Sequence, residues 1–410
     1  MIKRNFLWTF YGQISRIIFQ SSFILILAVL LRPEQYGKYV IVSAIIIILG
    51  PFCGLGIIQY CIELVIRKNM TIYKVKKIGF KIISISFFIL MFIGFSVIYF
   101  IFDMDSKLIT LFVVLGVSDL FLLKLTELNS QLQLATDKFN KAAHIQFTIS
   151  FSRFLSVIIA YLISLKSSTD ILDIWLYLYI SFSVLSFVLS LLIIKFDFAK
   201  FYNEKQKVKK DHIKDGIYYS IGLSSQGIYN DIDKIILGKF SGTYSTGIYG
   251  FSYKILDVIF VPLKALLTVS FPKFMKIGVE NPQKLNNLLL KQISISYGYL
   301  LFISVSVYLI IPYIINYFFK EKYGDSILII YYLFPILFMR ITNYLIADYI
   351  TGTGNQKIRS YIQMFVAALN FIVSIVLIKK YGVNGAIAAS YISEIVMLSL
   401  LFIVKMKVRR

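Results

Sequence analysis

Apolar stretches of about twenty residues recur along the whole chain, separated by short polar turns. Each stretch is continuously apolar and does not alternate. That length is what a helix needs to cross ~30 Å of hydrocarbon, and unbroken runs exclude the alternating strands of a membrane β-barrel. The stretches lie at about 9–31, 39–60, 79–102, 107–130, 145–165 and 173–194. After a polar interval come two within 218–272, then 292–318, 326–349, 360–379 and 386–404. The pattern predicts an all-α polytopic membrane protein of about twelve transmembrane helices in two six-helix lobes around a central cavity.

The most polar interval, 195–215, holds seven lysines and few apolar residues. It divides the chain into an N-terminal lobe, 1–195, a basic linker, 196–215, and a C-terminal lobe, 216–410. The turn ending Tyr36-Gly37-Lys38-Tyr39 and the turn ending Gly247-Ile248-Tyr249 lie 210 residues apart, as in a repeat. Copies of six spans are parallel, related by an axis along the membrane normal, and two-lobed transporters of this kind bind at the lobe interface.

Composition adds direction to this picture. Charged residues are 16% of the 410, against about 25% in soluble proteins, and mean hydropathy is +0.77. The net charge of +22 suits a nucleic-acid binder only if hydropathy is ignored; lysines and arginines instead follow the positive-inside rule. Of 43 such residues, 26 fall on the side of the N-terminus and nine on the opposite side. Both termini are therefore expected in the cytoplasm, with no nucleic-acid partner. The start, Lys3 and Arg4 before an apolar run ending Leu31-Arg32-Pro33, has no small-residue cleavage site and reads as a retained first span. Cys53 and Cys61 share one helix and suggest no disulfide framework.

The candidate chemistry is the charge carried inside the spans, where each mid-bilayer ion costs a few to ~10 kcal/mol or more unless it faces protein or water. Residues 218–272 carry the densest cluster of it: Asp231, Asp233, Lys234, Lys254, Asp257 and Lys264, with Pro262 breaking the second helix. Spacing of i,i+3 allows Lys124 with Glu127, Asp231 with Lys234, and Lys254 with Asp257 to neutralise each other. Lys81, a turn inside its span, reads as snorkelling to the surface. Arg16, Arg153, Lys264 and Arg340 have no acid at i±3 or i±4. They are candidates for binding an anion, since guanidinium matches phosphate as a fork and lysine as a point charge. The other reading gives them long-range partners such as Asp119 or Glu394. Asp119, Asp231, Asp233 and Glu394 are candidates for holding a coupling proton or Na⁺, or simply for helix-to-helix hydrogen bonds.

No enzyme chemistry, metal or cofactor is indicated. His144 and His212 are isolated, no Walker loop is present, and Gly352-Thr353-Gly354 is a turn between spans. A membrane glycosyltransferase or polysaccharide polymerase needs a sizeable outer loop, and every outer turn here is about ten residues or fewer.

Several motifs resemble bacterial polysaccharide flippases of the multidrug/oligosaccharidyl-lipid/polysaccharide exporter superfamily. They are Asp233-Lys234-Ile-Ile-Leu-Gly238, Gly242, Gly247-Ile-Tyr249 and Phe271-Pro272 in the second half. Asn5, Gly12-Gln13, Leu31-Arg-Pro-Glu-Gln-Tyr-Gly37-x-Tyr39, Gly54-Leu-Gly56 and Tyr381-Gly-x-x-Gly-Ala386 extend the likeness over most of the chain. The resemblance implies a substrate of undecaprenyl-pyrophosphate-linked oligosaccharide, flipped from the inner to the outer leaflet of the cytoplasmic membrane. Twelve spans, against fourteen in related lipid II flippases, imply the O-antigen or capsule branch. It implies a cationic cavity lined by spans 1, 2, 7 and 8, on which Arg16, Lys254 and Lys264 fall; Arg153 and Arg340 lie elsewhere. It implies membrane lipid as surroundings, and a polysaccharide polymerase and chain-length proteins as partners. Tyr218, Tyr219, Tyr229, Tyr249 and Tyr253 could stack on sugars or serve ordinary packing. The alternative within the superfamily is a cation-coupled drug or metabolite antiporter, whose cavity is expected to be dominated by acids.

Overall fold

The computed structural model describes residues 2–66, 68–102, 105–166, 170–204, 210–280 and 282–408. Part of the basic linker, residues 205–209, lies outside the described residues, as do the side chains of Lys3, Arg4, Asn5, His212, Tyr218 and Tyr219. Among the described residues every regular element is helical. Eight helices are long and apolar enough to cross a membrane, or up to ten if each of two bent pairs forms one span. The chain forms two compact units, Met1–Leu31 with Ile41–Ser224, and Arg32–Val40 with Ser225–Arg410.

The first unit contains α1 (Ile2–Leu30), most of α2 (Pro33–Leu49), α3 (Ile57–Ile66), α4 (Ile72–Phe102) and α5 (Ser106–Leu115). It continues with α6 (Leu123–Leu134), α7 (Phe139–Ser164), α8 (Ile171–Ile194) and the short α9 (Phe198–Asn203). α7 is central, packed on α1, α6 and α8. The unit is apolar outside, with Phe88, Phe92 and Phe100 more than 70% exposed, and hydroxyl-rich inside, where Ser118, Ser152, Ser156 and Ser190 are buried. Small hydroxyl side chains let helices approach closely where lipid gives no hydrophobic drive. The Lys107 ammonium bridges Asp170 (3.1 Å) and Asp173 (2.6 Å), tying the start of α5 to the start of α8. Asp105 and Asp170 cap those two helices through their carboxylates.

Two expected spans are not single helices. Between α2 and α3 the chain makes a 3₁₀ turn at Gly50–Phe52, then left-handed steps at Gly54, Leu55 and Gly56. Pro51 removes an N–H there. Irregular backbone at membrane depth must find partners in protein. Here Ser86 accepts from the Gly54 N–H at 2.8 Å, and the Cys53 thiol donates to the Leu120 carbonyl. Between α5 and α6 the helix widens into a π turn, Gly116–Leu122, that carries Asp119.

The second unit contains α10 (Lys210–Ile259) from Ser225 onward, α11 (Val261–Glu280), α12 (Pro282–Leu309), α13 (Ile311–Phe318), α14 (Ser326–Leu333), α15 (Ile336–Gly352) and α16 (Gln356–Val408). α15 packs on α11, α12 and α16. The 52 residues of Gln356–Lys407 would run about 78 Å if straight, far beyond the hydrocarbon. Non-helical backbone at Gly382 breaks them, as Gly242 breaks α10. α10 and α11 are bent by 50° at Phe260, just before Pro262, and α14 and α15 by 42° at Phe334-Pro335.

The turn expected at Tyr36–Tyr39 is already helix, because α2 begins at Pro33, a position where the missing N–H costs nothing. Its Gly37 serves contact instead. Gly37 lies against the backbone of Thr243 and Gly247, and Gly247 against that of Pro33. Tyr36 is fully buried against Phe251 and Tyr323. A Cβ on either glycine would meet a carbonyl that cannot rotate away. Gly37→Ala or Gly247→Ala should therefore destabilise the purified protein by about 1–3 kcal/mol or more. Gly298→Ala, which meets nothing within 4 Å, should be neutral or stabilise by up to about 1 kcal/mol. Thermal unfolding in detergent checks the contrast.

Candidate functional site

The in-span charges gather into separate clusters inside each unit. In the first unit the π turn turns Asp119 toward α7 and α8. Arg153 of α7 forms an ion pair with its carboxylate, and the Tyr179 hydroxyl of α8 donates to the same oxygen at 2.9 Å. The guanidinium also lies over the Tyr179 ring at 5.7 Å. Lys124 and Glu127 pair at 3.0 Å. Arg16, on α1, is exposed and forms no ion pair among the described residues.

The second unit holds a larger network. Lys234 is fully enclosed, its ammonium donating to Asp231 at 2.6 Å and to the Asn230 carbonyl at 2.7 Å. Asp233 lies 3.8 Å away on its other side. The Tyr249 hydroxyl donates to Asp233 at 2.6 Å, and Tyr253 shares a hydrogen bond with Ser390 at 2.8 Å. The Tyr253 ring has the Lys234 ammonium 5.0 Å from its centroid and the Arg340 guanidinium 5.6 Å from it. Arg340 donates to Glu394 at 2.9 Å, and Asn343 donates to the other oxygen at 2.7 Å. A cavity of about 40 Å³, lined by Gln226, Tyr229, Arg340, Tyr344 and Glu394 among others, adjoins this pair. It has room and polar partners for water.

At the α10–α11 elbow, Lys254 and Lys264 each lie 3.7 Å from the single carboxylate of Asp257. Two ammonium groups on one carboxylate leave a local excess of positive charge, and the Lys264 side chain is 55% exposed. The buried Asp231–Lys234–Asp233 group has the opposite excess, two carboxylates on one ammonium. The second unit thus holds negative charge inside and presents positive charge at the elbow.

These placements correct part of the sequence reading. Arg153 and Arg340 take the long-range partners of the second reading, Asp119 and Glu394, and Lys264 takes Asp257, seven residues away, so none of the three is a cation without an acid. A search at i±3 and i±4 sees one helix only, and these partners lie further along the chain. Tyr249 and Tyr253 are buried and hydrogen-bonded, so neither offers a free face for a sugar. Sequence reasoning passed over Tyr179, Asn343 and Ser390; each is a polar residue in the middle of an apolar run, which was the available signal. Asp348 of α15 pairs with Arg359 of α16 at 3.1 Å.

Two compact helical units with broken spans and internal ion pairs define a polytopic α-helical membrane protein. Residues 2–278 match the polysaccharide biosynthesis protein family, and the chain belongs to that family. Several solved structures share its fold, among them the following two. An inward-facing multidrug resistance MATE transporter of the MOP superfamily aligns with a TM-score of 0.78 at 15% identity, over 96% of this chain and 94% of that one. The lipid II flippase MurJ, in an inward closed conformation, aligns with a TM-score of 0.71 at 14% identity, over 97% and 87%. An uncharacterized membrane protein, MJ1375, of Methanocaldococcus jannaschii is 29% identical over 212 residues, which is 49% of each chain. The chain thus spans about half the length of that curated relative.

Removing Arg340 alone strands the Glu394 carboxylate, which is 2% exposed. Arg340→Met should cost about 3–5 kcal/mol, whereas Arg340→Met with Glu394→Met should be close to neutral. Unfolding of the two variants in detergent, set beside Glu394→Met, gives the coupling directly.

Proposed function

We propose that this protein flips undecaprenyl-pyrophosphate-linked oligosaccharide repeat units from the inner to the outer leaflet of the cytoplasmic membrane by alternating access, without catalysis. Membership of the polysaccharide biosynthesis protein family and the MOP fold support the reading. The observation that carries it is electrostatic. After internal pairing, the exposed charge left in the spans is cationic: Arg16 in the first unit, and the Lys254–Lys264 pair over one Asp257 in the second. A pyrophosphate needs such cations, because moving a bare anion into hydrocarbon is prohibitive. Arg153 and Arg340 then serve mainly to hold helices together through Asp119 and Glu394.

The same proposal has twelve spans, lobes of 1–195 and 216–410 joined by the basic linker, and both termini in the cytoplasm. A polysaccharide polymerase and chain-length proteins are its natural partners. Coupling to an ion falls to the buried carboxylates, first Asp231 and Asp233, where acids outnumber the ammonium, then Asp119 and Glu394. That buried excess also favours a second reading, a cation-coupled drug or metabolite antiporter.

Complementation separates the two. In a bacterium lacking its own repeat-unit flippase but making the matching repeat unit, the wild-type chain should restore surface polymer. Arg16→Ala and Lys264→Ala, at equal membrane levels, should accumulate inner-leaflet precursor and lower surface polymer about tenfold or more, the scale of one lost charge-assisted contact. Wild-type failure with precursor present moves the antiporter to first place. Full activity in both variants removes the cationic site while leaving the flippase.

A further inference from the structure

The segment after α8 is built in a way that its role as a connector does not require. α8 ends in a Schellman turn: the Phe196 N–H bonds the Leu191 carbonyl and the Lys195 N–H the Leu192 carbonyl, both at 3.0 Å. The turn puts Lys195 in the left-handed region (φ 54°, ψ 62°), a position that glycine normally fills because a side chain is strained there. A lysine held in that conformation places an exposed ammonium at the end of a membrane-spanning helix.

The following residues are then clamped to the start of α4. The Lys77 ammonium donates to the last carbonyls of α9, Phe201 at 3.1 Å and Tyr202 at 2.8 Å. Lys76, 8% exposed, has no hydrogen-bond partner for its ammonium, which sits 3.9 Å over the Phe196 ring. Phe80 packs on Phe201, and Asp197 caps α9 through the Lys200 N–H, which holds its carboxyl below the usual range. The clamp fixes which face of α9 points outward. Phe198 and Tyr202, four residues apart and so on one side of the helix, are 68% and 84% exposed.

We propose that residues 195–204 form a seat for anionic phospholipid, with Phe198 and Tyr202 in the headgroup–acyl boundary and Lys195 and Lys200 meeting phosphate. Two features select a lipid surface over a protein. The patch continues directly from the ends of two membrane-spanning helices, α4 and α8, so it lies at the bilayer boundary, where aromatic rings and lysines concentrate. The charge is also complementary. Four lysines at 74, 77, 195 and 200 face two carboxylates, of which Asp197 is taken up by the α9 cap and Glu204 lies 3.9 Å from Lys74. The Lys200–Asp197 contact, at 3.4 Å and solvent-exposed, is weak enough to exchange for lipid phosphate. The proposal rests on α4 and α8 crossing the membrane, not on the cargo, so it stands or falls apart from the flippase reading.

The test uses the full chain with a spin label at Asn203→Cys, in nanodiscs of phosphatidylcholine alone or mixed with phosphatidylglycerol. The label should sit at headgroup depth, judged by oxygen against nickel-chelate accessibility, and deeper in the anionic discs. Phe198→Ser with Tyr202→Ser should return it to the aqueous phase. Lys195→Gln should weaken phosphatidylglycerol retention about fivefold, the weight of one lysine at an anionic surface. A label in water in both disc types overturns the proposal. So does a label shielded from both reagents, which would mean a protein covers the patch, and so does equal depth and retention in neutral and anionic discs.

Discussion

A charge inside hydrocarbon has to be answered within the length of its own side chain, and much of this structure follows from that constraint. Each unit solves it internally. The Arg153–Asp119–Tyr179 and Arg340–Glu394–Asn343 groups join helices far apart in sequence. They act as registers as much as bonds. Such pairs gain little over well-packed apolar residues, but losing one member is costly. Once these debts are settled, the charge that stays exposed is positive, at Arg16 and at the α10–α11 elbow.

The same rule governs the backbone. Spans are interrupted at Pro51, Phe260 before Pro262, and Phe334-Pro335, and α5 loosens into a π turn before α6. Each interruption frees backbone groups that water cannot reach. Ser86 answers the Gly54 N–H at the α2–α3 break, the Cys53 thiol answers the Leu120 carbonyl of the π turn, and that turn carries Asp119 to Arg153. Irregular segments here are held by specific partners and owe nothing to looseness.

The helical membrane class was legible in sequence because hydrocarbon imposes a run length that composition cannot hide. Pro262 pointed to a broken span for a local reason, whereas the breaks at Gly54-Leu-Gly56 and Phe334-Pro335 were read as continuous spans. Local ion pairs such as Lys124–Glu127 were legible too, since three residues fix their separation. Arg153–Asp119 and Arg340–Glu394 were legible only as one of two readings, because spacing along one helix cannot decide what the helix beside it presents. Gly37 misled for a different reason. A glycine signals a turn and a close contact equally well, and only the burial of Tyr36 against Phe251 and Tyr323 shows which was meant.

That contact has a consequence for how the gene can be cut. Arg32–Val40 is separated from the rest of the second unit by nearly two hundred residues, yet it supplies that unit with Tyr36, Gly37 and Val40. The unit is therefore discontinuous in the gene. A fragment starting after the basic linker omits one of its packing partners and leaves Phe251, Gly247 and Gly250 facing an empty groove. A chain divided at the linker and produced as two polypeptides would have to reassemble by strand-like complementation, with the N-terminal piece donating its α2 start to the other, as a split reporter does.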